Sequence, residues 1–297
     1  MSDPVFDASG LSKAFGHIDA LREVTLSLSG PSIIGLLGRN AAGKTTLLRH
    51  IVGLQLPTAG TAHTFGVPTR ILGHEQLAKI GVVTQTPAFL EWMTVGRQLR
   101  YLSAFYPRWD VDREAHLLEL LELDGTSQIK GLSTGSVQKL AIVAALCHHP
   151  TLLLLDEPVS NLDPIVRDRF LKFLLEVVQE DAATIVVSSH VLHDVESVVD
   201  WIVCLNEGRV VANAALDDLK EQYAEWRVTA RTRDLPAHFE EGFVVHETAA
   251  GRRTAKLVVR CAGADLAAFR QRHDADVEVA PLNLQGLFPV LVNGSAH

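Results

Sequence analysis

The chain has 297 residues, with 27 Lys and Arg against 35 Asp and Glu, for a net charge of −8, and three Cys. A chain of this length buries roughly three quarters of its unfolded surface and needs no staple; Cys147, Cys204 and Cys261 are far apart and form no CxxC pair, so neither a zinc site nor a disulfide framework is suggested. The acidic balance argues against an extended nucleic-acid surface, no run approaches the ~20 apolar residues of a membrane span, and the opening MSDPVFDASG lacks the basic-then-apolar pattern of a signal peptide.

Val5 to Leu28 alternates apolar and polar residues loosely, which predicts antiparallel strands. Phe15, in KAFG, can pack in a core or offer its ring to a flat base, and on the residue alone the core is favoured. Ser32 to Leu37 reads as a buried parallel strand, and Leu47, Leu48, Ile51 and Val52 mark the apolar face of a helix. Between them lies GRNAAGKTT, Gly38 to Thr46, which fits the phosphate-loop pattern at Gly38, Gly43, Lys44 and Thr45. Glycines let backbone N–H groups turn inward around phosphates, and the helix starting near Thr45 points its positive dipole end at the same anion. Lys44 would reach the β- and γ-phosphates, and the Thr45 hydroxyl would ligate the magnesium ion of a nucleotide.

Leu56 to Gly60 is a turn cluster, Ala62 to Gly66 a short strand, and Ile80 to Gln85 a buried strand with a polar end. From Thr94 to Leu123 the period becomes helical: Val95, Leu99, Leu102 and Phe105, a break at Pro107, then Val111, Ala115, Leu118 and Leu121. Tyr101, Tyr106 and Trp109 read as packing residues, and His116, His148 and His149 lack ligand spacing and read as structural or exposed. Gly131 to Leu140 opens another helix, with Ser133 as N-cap and Gly135 leaving room for close approach, a terminus that also favours phosphate. Thr151 to Glu157 is a second apolar strand ending in two carboxylates. Asp156 can hold a magnesium shell there, and Glu157 can orient or deprotonate water. SNLDP at Ser160 to Pro164 is turn-like, Ile165 to Glu180 an amphipathic helix, and Thr184 to Ser189 a third buried strand ending at His190.

With these residues assembled, the first 220 or so resemble the nucleotide-binding subunit of an ATP-binding cassette (ABC) transporter, of the bacterial exporter type. The resemblance implies an α/β fold: a P-loop NTPase core with an antiparallel β subdomain and a helical subdomain inserted over about residues 88–148. It equates Gly38, Arg39, Asn40, Ala41, Ala42, Gly43, Lys44, Thr45 and Thr46 with the Walker A loop, and Phe15 with the aromatic that stacks on adenine. Gln85 matches the Q-loop glutamine, a magnesium and γ-phosphate sensor; Ser133, Thr134 and Gly135 match the signature motif; Asp156 and Glu157 match Walker B and its catalytic glutamate. Asp163 corresponds to the D-loop aspartate and His190 to the switch histidine. The resemblance further implies ATP and Mg2+ as ligands, a head-to-tail dimer in which the signature of one subunit closes over ATP held by the other, and a membrane permease as partner. The dimer would be a homodimer or a pair with a paralogous cassette. The expected location is the cytoplasmic face of the membrane, with no nucleic-acid partner.

Three departures stand out: LSTGS replaces the usual LSGGQ, Arg39 replaces the usual proline, and Ala41 replaces a glycine, at a cost of about 1 kcal/mol or more if its φ is positive. Residues 1–222 are expected to form the ATP-binding domain and 223–297 an accessory α+β domain for dimerisation or regulation. That domain should contain strand WRVTA, a hairpin of FVVHET and KLVVR, a helix around Leu266 to Arg272 and a terminal apolar segment. Alternatives are a cassette ATPase acting on DNA or ribosomes, against which the single cassette and acidic charge weigh, and a non-hydrolysing nucleotide-binding module, against which Glu157 and His190 weigh.

Overall fold

In the computed structural model, which describes residues 4–189, 191–249 and 251–293, the N-terminal alternation becomes a ribbon of β1 (Phe6–Phe15) and β2 (Ile18–Leu28), paired antiparallel with Phe6 opposite Leu28. Val24, Leu26 and Leu28 are buried while Thr25 and Ser27 face out, the period-two pattern of a strand with one wet face. β3 (Ser32–Gly38) runs into the glycine-rich loop, and α1 (Lys44–Ile51) leaves it. β4 (Ala59–Thr64) and β5 (Val67–Pro68) return to the ribbon and complete an antiparallel sheet of order β2-β1-β4-β5.

A one-turn helix α2 (His74–Leu77) precedes β6 (Ile80–Val83), and then come three helices: α3 (Val95–Ser103), α4 (Val111–Leu120) and α5 (Thr134–Leu146). Each of the three is started by a side-chain cap, from Thr94, Asp110 and Ser133 respectively, each of which accepts from the backbone N–H three residues on. Phe105 and Val111, which continue the apolar period in the sequence, are 55% and 69% exposed. The reason is positional. Phe105 lies beyond the end of α3, and Val111 is the first residue of α4, ahead of the turn that buries Leu117. His149 is structural: its Nδ1 meets Asp181 at 2.7 Å and its Nε2 meets Asp110 at 2.8 Å, while Arg113 pairs with Asp181 at 2.5 Å.

The chain continues with β7 (Leu152–Asp156), α6 (Pro164–Asp181), β8 (Thr184–Ser188), α7 (Leu192–Glu196), β9 (Trp201–Asn206) and β10 (Arg209–Ala215). The central sheet has the order β10-β9-β3-β8-β7-β6, and β9, β3, β8, β7 and β6 are mutually parallel. β7 and β8 are buried along their whole length, the signature of strands covered on both faces. One face joins the ribbon and α1 in a cluster that includes Leu36, Leu154, Val186, Leu21 and Leu47. α6 packs on β3 and β8 and buries Phe170, Leu174 and Val177 on one stripe, each contributing about 1.5–3 kcal/mol.

By contacts the chain divides into residues 1–213 and 214–297. The second unit holds α8 (Leu216–Gln222), β11 (Tyr223–Ala230), β12 (Val244–Ala249), β13 (Thr254–Arg260), α9 (Leu266–His273), β14 (Ala275–Pro281) and α10 (Leu284–Asn293). Its strands form an antiparallel sheet of order β12-β13-β11-β14, over a core of Trp226, Leu257, Phe269 and Val277.

Candidate functional site

β3 ends at Gly38, where a Cβ would stand 2.6 Å from the Leu205 carbonyl oxygen; a Cβ on Gly43 would stand 2.5 Å from that of Ala20. No other residue fits either place without moving backbone. Between them Ala41 has φ +64°, so the condition for strain in the loop is met. α1 has no side-chain cap and no acidic residue in its first turn, which leaves its N-terminal dipole to an incoming anion. The buried Lys44 ammonium lies across the loop, donating to the Gly38 oxygen at 2.8 Å and the Arg39 oxygen at 3.4 Å.

The parallel register carries β7 to the same place. Asp156 Oδ2 accepts from the Thr45 hydroxyl at 2.7 Å, and Asp156 Oδ1 accepts from the Ser188 hydroxyl at 2.6 Å. The Glu157 N–H donates to Ser188 Oγ at 3.0 Å and to the Ser188 carbonyl at 3.2 Å. Glu157 is buried and has φ +53°, a left-handed conformation that a non-glycine residue adopts at a cost. Ser188, which pins both carboxylate residues, was missed in the sequence; its signal was a polar residue closing the buried run TIVVS.

These groups border a cleft of about 450 Å³ lined by residues 40–46, Gln85, Asp156, Glu157 and Phe15. Phe15 is 47% exposed on the rim, so the core role favoured from the residue alone is wrong; Lys13 Nζ sits 5.1 Å from its ring centre. Ile18, Asp19 and Ala20 of β2 also line the cleft, and nothing in the residue pattern of that strand marks them. Gln85 lies two residues beyond the end of β6.

Ser133, Thr134 and Gly135 do not line this cleft. They form the start of α5, where Ser133 Oγ accepts from the Ser136 N–H at 3.1 Å, and a Cβ on Gly135 would stand 2.5 Å from the Asn161 carbonyl oxygen. Asp163 caps α6 through the Val166 N–H, a bond that holds its carboxyl below the usual carboxylate range. His190 lies outside the described residues.

A cleft with a phosphate-type loop, a buried lysine and a hydroxyl–carboxylate pair suits a nucleoside triphosphate. The comparisons agree: a family profile described as ABC transporter matches residues 21–160. The bacitracin transport ATP-binding protein BcrA of Enterococcus faecalis is 34% identical over 76% of this chain and 75% of its own length. The chain belongs to the ABC transporter ATP-binding proteins. Another relative, the ABC transporter ATP-binding protein YxlF of Bacillus subtilis, is 36% identical over 71% of each chain.

Among solved structures, the cassette is similar to an ATP-binding subunit of an ABC transporter, with a TM-score of 0.66 at 29% identity over 73% of this chain and 92% of that one. It is also similar to a dimeric ATP-binding cassette in a post-hydrolysis state with ADP and phosphate, with a TM-score of 0.64 at 25% identity over 71% and 98%. The cassette therefore has the P-loop NTPase fold, binds ATP and is an ATPase. Among the described residues, no helix is long and apolar enough to cross a membrane, and no group of three or more His, Cys, Asp and Glu could hold a metal ion.

Proposed function

We propose that the cassette hydrolyses Mg-ATP in a head-to-tail dimer and drives a separately encoded membrane permease, through which it is held at the cytoplasmic face of the membrane. The observation that carries this reading is the chain of bonds Thr45–Asp156–Ser188–Glu157, which fixes a hydroxyl, a carboxylate and the backbone of a second acidic residue at the mouth of a phosphate loop. Thr45 Oγ1 and Asp156 Oδ2, hard oxygen donors 2.7 Å apart, fit a magnesium ion that takes its other ligands from water and phosphate, with Gln85 at the rim to complete the set. Bound there, the ion would offset charge on the β- and γ-phosphates.

The chain's own residues do the rest. Residues 38–46 wrap the phosphates with backbone N–H groups, Lys44 turns its ammonium from the loop carbonyls to the β- and γ-oxygens, and Phe15 stacks on the base. Glu157, with its backbone fixed by Ser188, aligns the attacking water and takes its proton. His190 donates to the γ-phosphate. Ser133, Thr134 and Gly135, absent from the cleft of their own chain, meet the γ-phosphate of a second copy or a paralogue, and Asp163 borders that interface.

Glu157→Gln keeps the shape of the site and removes the base. The variant is expected to accumulate as an ATP-bound dimer, measured by light scattering, with steady-state hydrolysis lost; an unchanged rate would refute the assignment.

A further inference from the structure

Arg167 stands one turn into α6, just past the Asp163 cap. Its Nη1 donates to Asp194 Oδ2 at 2.5 Å, and its Nη2 reaches the Leu162 carbonyl at 3.4 Å. Asp194 lies on the short helix α7, which follows the turn after β8, and its N–H donates to the Val191 carbonyl at 3.3 Å. The two side chains are only 26% and 13% exposed, and Arg167 Nε is buried with no partner among the described residues.

A pair of this kind is a poor source of stability. Desolvating both charges costs as much as the attraction returns, and the unpaired Nε adds a further cost. Its placement is more informative. β7 and β8 are adjacent parallel strands, and the turns that leave their C-terminal ends begin at Glu157 and Ser189. The first turn is tied to Glu157 by Ser160, whose hydroxyl donates to the Glu157 carbonyl at 3.0 Å, and runs on to Leu162. The second is tied by Ser189, whose hydroxyl donates to the Val191 carbonyl at 3.1 Å. Arg167 touches the first turn at Leu162 and the second through Asp194, and so brackets the two.

We propose that Arg167 is a positioning residue for ATP hydrolysis: with Asp194, it fixes the spacing between the turn after β7, which presents Glu157, and the turn after β8. The inference rests on the role proposed above for Glu157. Neither residue lines the nucleotide cleft, so the pair governs turnover and leaves ATP affinity alone.

The test is a double-mutant cycle on the full chain with Arg167→Met, Asp194→Leu and the double variant, measuring kcat and KM for Mg-ATP, nucleotide binding and Tm. Each single variant is expected to lower kcat about tenfold with KM within twofold, since a small misplacement of a reacting group is costly. The double variant is expected to be no worse than either single, because the two residues act as one unit. It leaves no lone buried charge, so it stays folded and measurable even where a single variant does not, with Tm at or above that of the unaltered chain. Single variants with full kcat, a loss that multiplies in the double variant, or a rise in KM at constant kcat would each overturn the proposal. Glu157→Gln is assayed alongside. If it keeps full turnover, the reading of Glu157 fails and the proposal with it; if it loses turnover while Arg167→Met does not, the proposal alone fails.

Discussion

Gly135→Ala adds a single methyl group at the start of α5, and the structure says what that methyl would meet. Its carbon would stand 2.5 Å from the backbone oxygen of Asn161, with Ser133 Oγ at 3.8 Å. Carbon–oxygen contacts settle at about 3.3 Å or more, so roughly 0.8 Å must be made up by moving backbone. Either the first turn of α5 or the turn at residues 160–163 gives way, and both carry groups assigned to the composite site. A misplacement near 1 Å costs up to about a hundredfold in rate, so kcat is expected to fall between tenfold and a hundredfold, about 1.4–2.7 kcal/mol in barrier. Fold stability should change far less. Alanine favours a helix over glycine by about 1 kcal/mol, which offsets much of the overpacking cost. Residues 38–46 are untouched, so nucleotide affinity should stay within twofold. Steady-state ATPase, nucleotide titration and thermal melting on one preparation separate these terms. A kcat within twofold of the unaltered chain, or a loss of binding equal to the loss of rate, would refute the reasoning.

Ala41→Gly relieves a left-handed alanine worth about 1–2 kcal/mol of strain and gives back part of that through a looser unfolded chain, so denaturant unfolding should show a gain of up to about 1 kcal/mol. A loss would mean the loop holds Ala41 without strain. His148 is buried, stacked on Tyr106 and bonded to the Ile80 carbonyl, and burial pushes its pKa down to about 4 from 6.5. The folded chain then binds its proton less readily than the unfolded one, so this contribution is complete above pH 6.5 and drains away as pH falls toward 4, by up to about 3 kcal/mol. Burial lowers the pKa of His50 as well, in the same sense. His148→Phe should flatten the stability profile between pH 6.5 and 4, measured as denaturant midpoints; an unchanged slope would place the titration elsewhere. Burial pushes the Cys204 thiol up to about 12 and raises that of Cys147 as well, while Cys261 is exposed. A thiol reagent at pH 8 should therefore find one fast-reacting group in the folded chain, removed by Cys261→Ser, and three after denaturation; two fast groups in the folded chain would contradict the burial of that strand or helix end.

The parallel strands were legible because burial on both faces leaves a run such as TLLLLD no polar position until its end, and the glycine loop because its fixed positions have backbone causes now visible at Gly38 and Gly43. The loops between regular elements were harder. Phe15 looked like core because an aromatic residue in an alternating strand usually is; it reaches the rim because β1 ends there and the chain turns at Gly16. Phe105 continues the α3 period on paper, but a helix that stops at Ser103 no longer carries it inward. Strand β14 went unread because ADVEVAP is half polar, as an edge strand with one wet face can be.

Ser188 marks the deeper limit. Sequence pattern identifies residues that act on a ligand, since those must be of a given type at a given spacing. A residue that acts on another residue is chosen by a distance across the fold. Ser188 is 32 positions from Asp156 and 2.6 Å from its carboxylate. Arg167 belongs to the same class: its pattern in sequence is only that of a charged helix face, and its meaning comes from the two turns it touches. The groups that set the rate of this cassette are therefore expected to extend beyond those that touch ATP, into contacts between the turns that leave β7 and β8.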